Sequence, residues 1–226
     1  MLIGVIGSRS LPEEYFSQVS AVVTYLLDRG HTICHGGALG TDHFVLRALL
    51  AEHSSSRGIL FSAWRDIESF PLGVRPDIQS YLDSGGQVVW GDCASGQPYS
   101  AVCASLHARN QRLVSQCDGL VAFIHGDSRG TLSTVRYAIR FGIPVIVFLI
   151  SGDKEQLPKQ KGVDWFPVRQ GGVWKDSVKV MYSSLHFHIK LKEEDSKYRP
   201  QRKCLPILAC AVGGSAIQKE AVSHAG

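Results

Sequence analysis

The chain has 226 residues, of which 44% are hydrophobic and 19% charged, and its formal net charge is +4. This composition excludes a disordered or fibrous protein, and the length suits one globular domain with an extension. The small excess of positive charge is compatible with an anionic partner but does not by itself indicate one.

No targeting or membrane segment is visible in the sequence. The N-terminus, MLIGVIGSRS, lacks a basic leader, and the longest apolar tract near the C-terminus is shorter than the ~20 residues that span a bilayer. The six cysteines form no C-x-x-C pair. We therefore expect a cytoplasmic protein with reduced thiols and no membrane contact.

Short β-branched runs alternate with longer helical patterns through the first 152 residues, which predicts repeated β-α-β units. The predicted fold is α/β, with a doubly wound, mostly parallel sheet and helices on both faces. We predict strands at residues 2–7, 31–35, 57–61, 86–90, 119–124 and 143–149, and helices at residues 13–29, 40–52, 104–116 and 132–141.

Residues 63–85 contain two prolines and little strand pattern, so we predict a loop and a short helix there. After residue 152 the alternation fails. We expect residues 153–185 to form an extension that packs on the domain, with a strand at 165–168 and a helix at 176–185. We expect residues 186–226, rich in lysine and arginine, to form a loosely ordered tail.

The first candidate for phosphate binding is GVIGSRS, residues 4–10, which follows a buried strand and precedes a helix. Gly7, Ser8 and Arg9 offer backbone amides, a hydroxyl and a guanidinium at the carboxyl end of that strand. The glycine spacing differs from the G-x-G-x-x-G dinucleotide fingerprint. The turn therefore indicates an anion site of another kind.

The second candidate is HGGALGTDH, residues 35–43. Its glycines allow the backbone to approach an anion closely, and the helix that follows directs its positive end toward the same place. Because a carboxylate repels phosphate, we expect Asp42 to cap the helix or to accept hydrogen bonds from a sugar or base.

The third candidate is HARNQRLVSQCDGLVAFIHGDSRGTLSTVRYA, residues 107–138. Arg109, Asn110 and Arg112 lie within one helical turn before a strand, and the glycine turn that follows starts another helix at Ser128 or Thr131. We expect the three candidates to meet at one edge of the sheet. Of the arginines, we expect Arg109 to be solvated and to bind phosphate in preference to Arg9.

Other chemistry finds little support. The nine histidines have no metal-ligand spacing, and no G-x-S-x-G, H-E-x-x-H or Walker A motif is present. We predict no metal, no cofactor and no catalytic residue, and we interpret the chain as a binding protein rather than an enzyme.

The succession IGVIGSR, HGGALGTDHFVLRAL, RNQRLVSQCDGLVAF and TVRYAIRFGIPVIVF resembles the DNA-processing protein A (DprA/Smf) family and, more broadly, the SLOG group of Rossmann-like nucleotide-binding domains. The resemblance covers residues 2–150. It implies a pocket for the phosphates of single-stranded DNA, a homodimer and a recombinase as partner. The residues that the resemblance places at the pocket are Gly7, Ser8, Arg9, Gly36, Gly37, Ala38, Gly40, Arg109 and Asn110. The pattern of the residues themselves adds Thr41, Asp42, Arg112, Gly130 and Thr131.

Three functions remain open from the sequence. The first is binding of single-stranded DNA in DNA processing or recombination, and the second is sensing of a small nucleotide signal. The third is hydrolysis of the N-glycosidic bond of nucleoside monophosphates, as in the similar LOG hydrolases, with Asp42 or Asp127 as the candidate acid. Ser133 and Thr134 stand where those hydrolases carry a glutamate, which disfavours the third function. A long positive groove would favour DNA, whereas a closed cavity would favour a small nucleotide.

Overall fold

A single sheet of eight strands organises the chain in the computed structural model, which describes residues 1–182. The strand order is β4-β3-β2-β1-β5-β6-β8-β7, and the first six strands pair in parallel. The strands are β1 (Leu2–Gly7), β2 (Thr32–His35), β3 (Gly58–Phe61), β4 (Gln87–Val89), β5 (Gly119–Ile124), β6 (Val145–Leu149), β7 (Val163–Pro167) and β8 (Ser177–Tyr182).

Five α-helices connect the strands and cover both faces of the sheet. They are α1 (Phe16–Asp28), α2 (Thr41–Ala51), α3 (Arg75–Asp83), α4 (Tyr99–Gln116) and α5 (Arg129–Phe141). The core formed by α1, α2 and α3 lies on one face, and the core formed by α4 and α5 lies on the other. The predicted doubly wound α/β fold is confirmed.

The alternation of side chains along the strands divides these two cores. In β5, Val121 and Phe123 are buried with the first core, whereas Leu120 and Ala122 are buried with the second. Because successive side chains of a strand point to opposite faces, a strand covered on both faces becomes a continuous apolar run. The sequence GLVAFI of β5 has this character and is buried throughout.

The order of the strands reverses between β1 and β5. From β1 the chain proceeds to β2, β3 and β4 on one side, and β5 and β6 lie on the other. These two strands pair directly, with Gly7 opposite Phe123. In open α/β sheets, such a reversal leaves a crevice at the carboxyl ends of the strands, where ligands bind.

Two predictions about elements need correction. The helix α4 begins at Tyr99, five residues before the predicted residue 104, because Pro98 precedes its first turn and the small residues that follow continue it. The predicted helix at 176–185 is wrong, since β8 occupies residues 177–182. Val178 and Val180 recur every second residue and are buried beside β6, which is the period of a strand.

The extension after residue 152 continues the same sheet. β8 pairs antiparallel with β6, and β7 pairs antiparallel with β8. The predicted strand at 165–168 corresponds to β7, which begins two residues earlier. The predicted tail at 186–226 lies outside the described residues.

Within residues 1–182, no helix is long and apolar enough to cross a membrane. Cys34, Cys93, Cys103 and Cys117 form no disulfide bond within these residues. The sulfurs of Cys34 and Cys117 are 3.0 Å apart in the core.

His35, at the end of β2, is fully buried beside the candidate site. Its Nδ1 accepts a hydrogen bond from the Gly37 amide at 3.3 Å, and its Nε2 has no partner among the described residues. Burial, helped by the charge of Arg109, lowers the pKa of His35 to about 3. The imidazole is therefore neutral in the folded protein at physiological pH.

We predict that His35 makes the protein less stable in mild acid. Between pH ~6.5 and pH ~3 the unfolded chain binds a proton on this side chain that the folded chain does not, so stability falls as pH falls. From about pH 7 to about pH 5, this histidine should lower the free energy of unfolding by about 2 kcal/mol. Urea unfolding at both pH values should show a smaller difference for His35→Leu than for the wild type. An unchanged difference would mean that His35 is not the group responsible.

Candidate functional site

A cavity of about 530 Å³ lies at the reversal of strand order, above the carboxyl ends of β1 and β5. Three segments form its walls: the loop after β1, the first three turns of α4, and the loop that leads into α5. All three lie at the carboxyl edge of the sheet because each follows a strand that ends there. The cavity therefore occupies the position where doubly wound sheets bind ligands.

The contribution of α4 follows from its helical period. Besides Arg109, five residues of α4 line the cavity at spacings of three, four or seven, which places them on one face of the helix. They are Tyr99, Cys103, Leu106, His107 and Asn110. Of these five, only Asn110 was predicted at the site. The others share its helical face, and that spacing is the signal that would have found them.

Two exposed arginines line the cavity, Arg9 and Arg129, and Arg129 is paired with Asp127. Arg9 has no such partner among the described residues. It lies in the loop after β1 and, within residues 1–182, makes no hydrogen bond or ion pair. Its charge nevertheless acts on Asp42, where it opposes the effect of burial on the pKa of that carboxyl. The guanidinium of Arg9 is thus close to the floor of the cavity and available to an anion.

The N-terminus of α5 opens into the same cavity. Ser128, Gly130 and Thr131 line it, and no side chain caps the amides of the first turn. The Ser128 hydroxyl instead donates to Thr131 Oγ1 at 2.7 Å. Because first-turn amides have no intrahelical acceptor and carry the positive end of the helix dipole, this turn can bind an anion.

A buried ion pair forms the floor of the cavity. Arg109 Nη1 lies 3.5 Å from Asp42 Oδ2, and only 6% of Arg109 is exposed. Burial raises the pKa of Asp42, and the charge of Arg109 opposes that rise. Asp42 Oδ1 and Arg109 Nε have no hydrogen-bond partner among the described residues. The two charges therefore depend mainly on each other.

Gly36 makes room for this ion pair. A Cβ at Gly36 would overlap the guanidinium of Arg109 and lie 2.7 Å from Asp42 Oδ2. Any larger residue would therefore displace the arginine. Gly36 follows the last residue of β2. The Asp42–Arg109 pair therefore crosses the edge of the sheet at a residue without a side chain.

The structure corrects the expectation that Arg109 is solvated. Its guanidinium is enclosed and paired with Asp42, so it is not the freely accessible cation that its position beside Asn110 suggested. Arg112 is also engaged, because its guanidinium donates to the carbonyl oxygens of Ser62, Val89 and Trp90. It holds the ends of β3 and β4 and does not line the cavity.

The hydroxyl of Ser8 is likewise occupied. It donates to the carbonyl oxygen of His125 at 3.0 Å and accepts from the amide of His125 at 2.8 Å. Ser8 is buried and joins the loop after β1 to the loop after β5. Its role in the structure is to hold the two walls of the cavity together.

The N-terminus of α2, predicted to bind the anion, is closed by the protein itself. The amide and the hydroxyl of Thr41 both donate to the carbonyl oxygen of Ser8, each at 3.2 Å. The Ala38 amide donates to Asp42 Oδ2 at 3.3 Å, so Asp42 accepts from the loop before α2. Within the described residues, no side chain caps the first turn of α2, so the expected capping role of Asp42 is not found. Gly40 makes the close approach possible, with a φ of 71°.

The predicted site residues therefore divide into two groups. Those that line the cavity are Gly7, Arg9, Ala38, Asp42, Arg109, Asn110, Gly130 and Thr131. Those that lie behind it and support its walls are Ser8, Gly36, Gly37, Gly40, Thr41 and Arg112.

Each of the two candidate acids is paired with an arginine. Asp42 is paired with Arg109, and the exposed Asp127 lies 3.0 Å from Arg129 Nε. The described residues hold no group of three or more histidine, cysteine or acidic side chains that could hold a metal ion.

Comparison with known proteins gives a family and two related folds. The model of the family described as DNA recombination-mediator protein A matches residues 1–166. No curated protein matches the chain.

Among solved structures, DNA processing protein A from Helicobacter pylori has a TM-score of 0.57 at 21% identity, covering 70% of this chain and 74% of that one. That structure is described for its single-stranded DNA binding mode. DNA processing protein A from Streptococcus pneumoniae has a TM-score of 0.54 at 22% identity, covering 69% of this chain and 52% of that one. At such identities the likeness shows the fold alone.

We predict that Gly36→Ala destabilises the protein by about 3–5 kcal/mol, because it forces Arg109 away and leaves Asp42 buried without its counter-charge. Gly130→Ala is the matched control. A Cβ at Gly130 meets no atom within 4 Å, so this change should be neutral or stabilise α5 by up to about 1 kcal/mol. Urea unfolding compares both with the wild type. Equal stability of the two variants would contradict the role given to Gly36.

Proposed function

The chain belongs to the DNA recombination-mediator protein A family, and we propose that it binds single-stranded DNA through the cavity between β1 and β5. The proposal rests on one observation: an exposed arginine, Arg9, and an uncapped helix N-terminus, that of α5, line the same cavity at the reversal of strand order.

A phosphate between these two groups would receive three kinds of contact. Arg9 offers a two-pronged guanidinium, the amides near Gly130 offer backbone donors, and the side chain of Asn110 offers a neutral amide. The Asp42–Arg109 pair below them and the Asp127–Arg129 pair beside them are each neutral as a unit, so neither cancels the charge of Arg9. Arg9 therefore gives the described lining of the cavity an excess of one positive charge.

The proposed contacts favour single strands over duplex and depend little on sequence. They are directed to the backbone, which carries no sequence information. A single strand is flexible enough to place one phosphate into a cavity walled by α4 and α5, whereas the phosphates of a duplex lie on a stiff cylinder.

Binding of a small nucleotide is the second candidate. The cavity volume of about 530 Å³ falls within the range of about 300–1,000 Å³ typical of small-molecule sites. The same phosphate contacts would then hold a mononucleotide or a cyclic dinucleotide. The two candidates differ in whether affinity grows with the length of the strand.

A homodimer and a recombinase partner belong to the same proposal. Both rest on the family relationship, and light scattering of the purified protein would measure the first. A pull-down with a purified recombinase, in the presence and absence of single-stranded DNA, would measure the second.

The direct test is a fluorescence titration of the purified protein with single-stranded oligonucleotides, the matching duplex, mononucleotides and cyclic dinucleotides. We expect tighter binding to single strands than to duplex. Tightest binding to a mononucleotide or a cyclic dinucleotide would favour the second candidate. Equal or tighter binding to duplex would contradict the proposal.

We predict that Arg9→Ala weakens binding of every single strand by about tenfold, the value of one charge-assisted contact. Because one phosphate then keeps its counterion, the slope of log affinity against log salt should fall by about 0.7. Titration at a series of salt concentrations measures both quantities.

The matched control for Arg9→Ala is Arg140→Ala. Arg140 is exposed like Arg9 but lies in the last turn of α5, at the other end of that helix from the cavity. Arg140→Ala should leave the slope of log affinity against log salt unchanged. If the two variants changed affinity and salt slope equally, DNA binding would depend on diffuse surface charge and not on a defined site.

We predict that single-stranded DNA protects Cys103 from alkylation. Cys103 lines the cavity and is partly exposed, whereas Cys34, Cys93 and Cys117 are buried. Burial also raises the pKa of Cys34 well above its usual range, which makes that thiol a poor nucleophile. N-ethylmaleimide labelling followed by peptide mass spectrometry should show slower reaction of Cys103 when the strand is saturating. An unchanged rate would place the DNA elsewhere.

A further inference from the structure

Tyr99 is an exposed aromatic residue at the mouth of the cavity. It is the first residue of α4, and 83% of it is exposed. Its side chain lines the cavity together with that of Cys103, one turn further along the helix. Large aromatic side chains are usually covered in folded proteins, because each buries 150–250 Å² or so of apolar surface when packed. An exposed one at a ligand site offers that surface to the ligand.

Tyr99 shares the lining of the cavity with Cys103 and Arg9. Contact with Cys103 raises the pKa of Tyr99, and the charge of Arg9 acts in the opposite direction. The phenol is therefore neutral at physiological pH. An apolar ring and a guanidinium thus line one cavity.

This arrangement separates two kinds of contact. Arg9, the first turn of α5 and Tyr99 all line one cavity, so a nucleotide there can meet all three. The donors of the cavity face the phosphate, whereas the ring of Tyr99 offers a flat apolar surface. Among the parts of a nucleotide, only the base has a matching flat surface.

We propose that Tyr99 is the stacking platform for one base of the bound strand, next to the phosphate held by Arg9. The inference rests on the proposed function. It adds the residue through which the protein would bind a strand with bases more tightly than a sugar-phosphate chain without them. Stacking makes no use of hydrogen-bonding edges, so it accepts every base. It contributes to affinity without adding to the salt slope, because it neutralises no phosphate.

The test compares two oligonucleotides of equal length and charge, one with bases and one made of abasic sites. The wild type should bind the strand with bases about tenfold more tightly, within the range measured for stacking of a base on an aromatic ring. Tyr99→Ala should lose most of this preference and keep its salt slope. Tyr99→Phe should keep the preference, because the ring remains.

The matched control is Phe166→Ala, which removes an exposed aromatic residue from β7, the outermost strand at one edge of the sheet. It should bind both strands as the wild type does. Because Tyr99 is exposed, Tyr99→Ala should also keep the thermal midpoint of the wild type.

The possible results separate this inference from the function on which it rests. If the wild type binds both strands equally, stacking is overturned and phosphate binding stands. If Tyr99→Ala keeps the preference for bases, another residue stacks the base and the assignment to Tyr99 fails. If the wild type binds neither strand, the inference falls together with the proposed function.

Discussion

The ion pair between Asp42 and Arg109 is the constraint on which the geometry of the cavity depends. Asp42 belongs to α2, which packs on one face of the sheet, and Arg109 belongs to α4, which packs on the other. Their contact passes over the carboxyl edge at Gly36 and joins the two layers of helices. Each charge is buried, so each would be costly without the other. The pair therefore fixes the position of α4, and with it the wall of the cavity.

The helix N-termini near the cavity have different tasks. At the first turn of α2, the amide and the hydroxyl of Thr41 donate to the Ser8 carbonyl, and this contact joins the two glycine-rich loops. The first turn of α5 has no such partner in the described structure and faces the cavity. Similar glycine turns in the sequence thus lead to one helix N-terminus held by an internal contact and one that has no side-chain cap. The difference depends on which loop reaches over which helix, and this is set by the order of strands in the sheet.

The sequence predicts the sheet, its helices and the meeting of three motifs, because each of these depends on local periodicity and on the rule that parallel strands end at one edge. It does not predict which arginine is free. Arg9, Arg109 and Arg112 all stand next to turn or helix signals, and only the packed structure shows that the last two are bound by Asp42 and by carbonyl oxygens. The mistaken helix over β8 has a related cause. A short apolar segment that contains lysines has little intrinsic preference for helix or strand, and its pairing with β6 determines that it forms a strand.

The two outer strands of the sheet affect its behaviour toward other chains. β6 is a run of buried aliphatic and aromatic residues, and β8 and β7 cover what would otherwise be its open edge. The new outer strand, β7, is five residues long and carries Asp164 and Pro167, while β4 at the opposite edge has only three residues. Short outer strands with a charge or a proline resist pairing with strands of other molecules. The extension after residue 152 thereby shields the edge of β6 from edge-to-edge association.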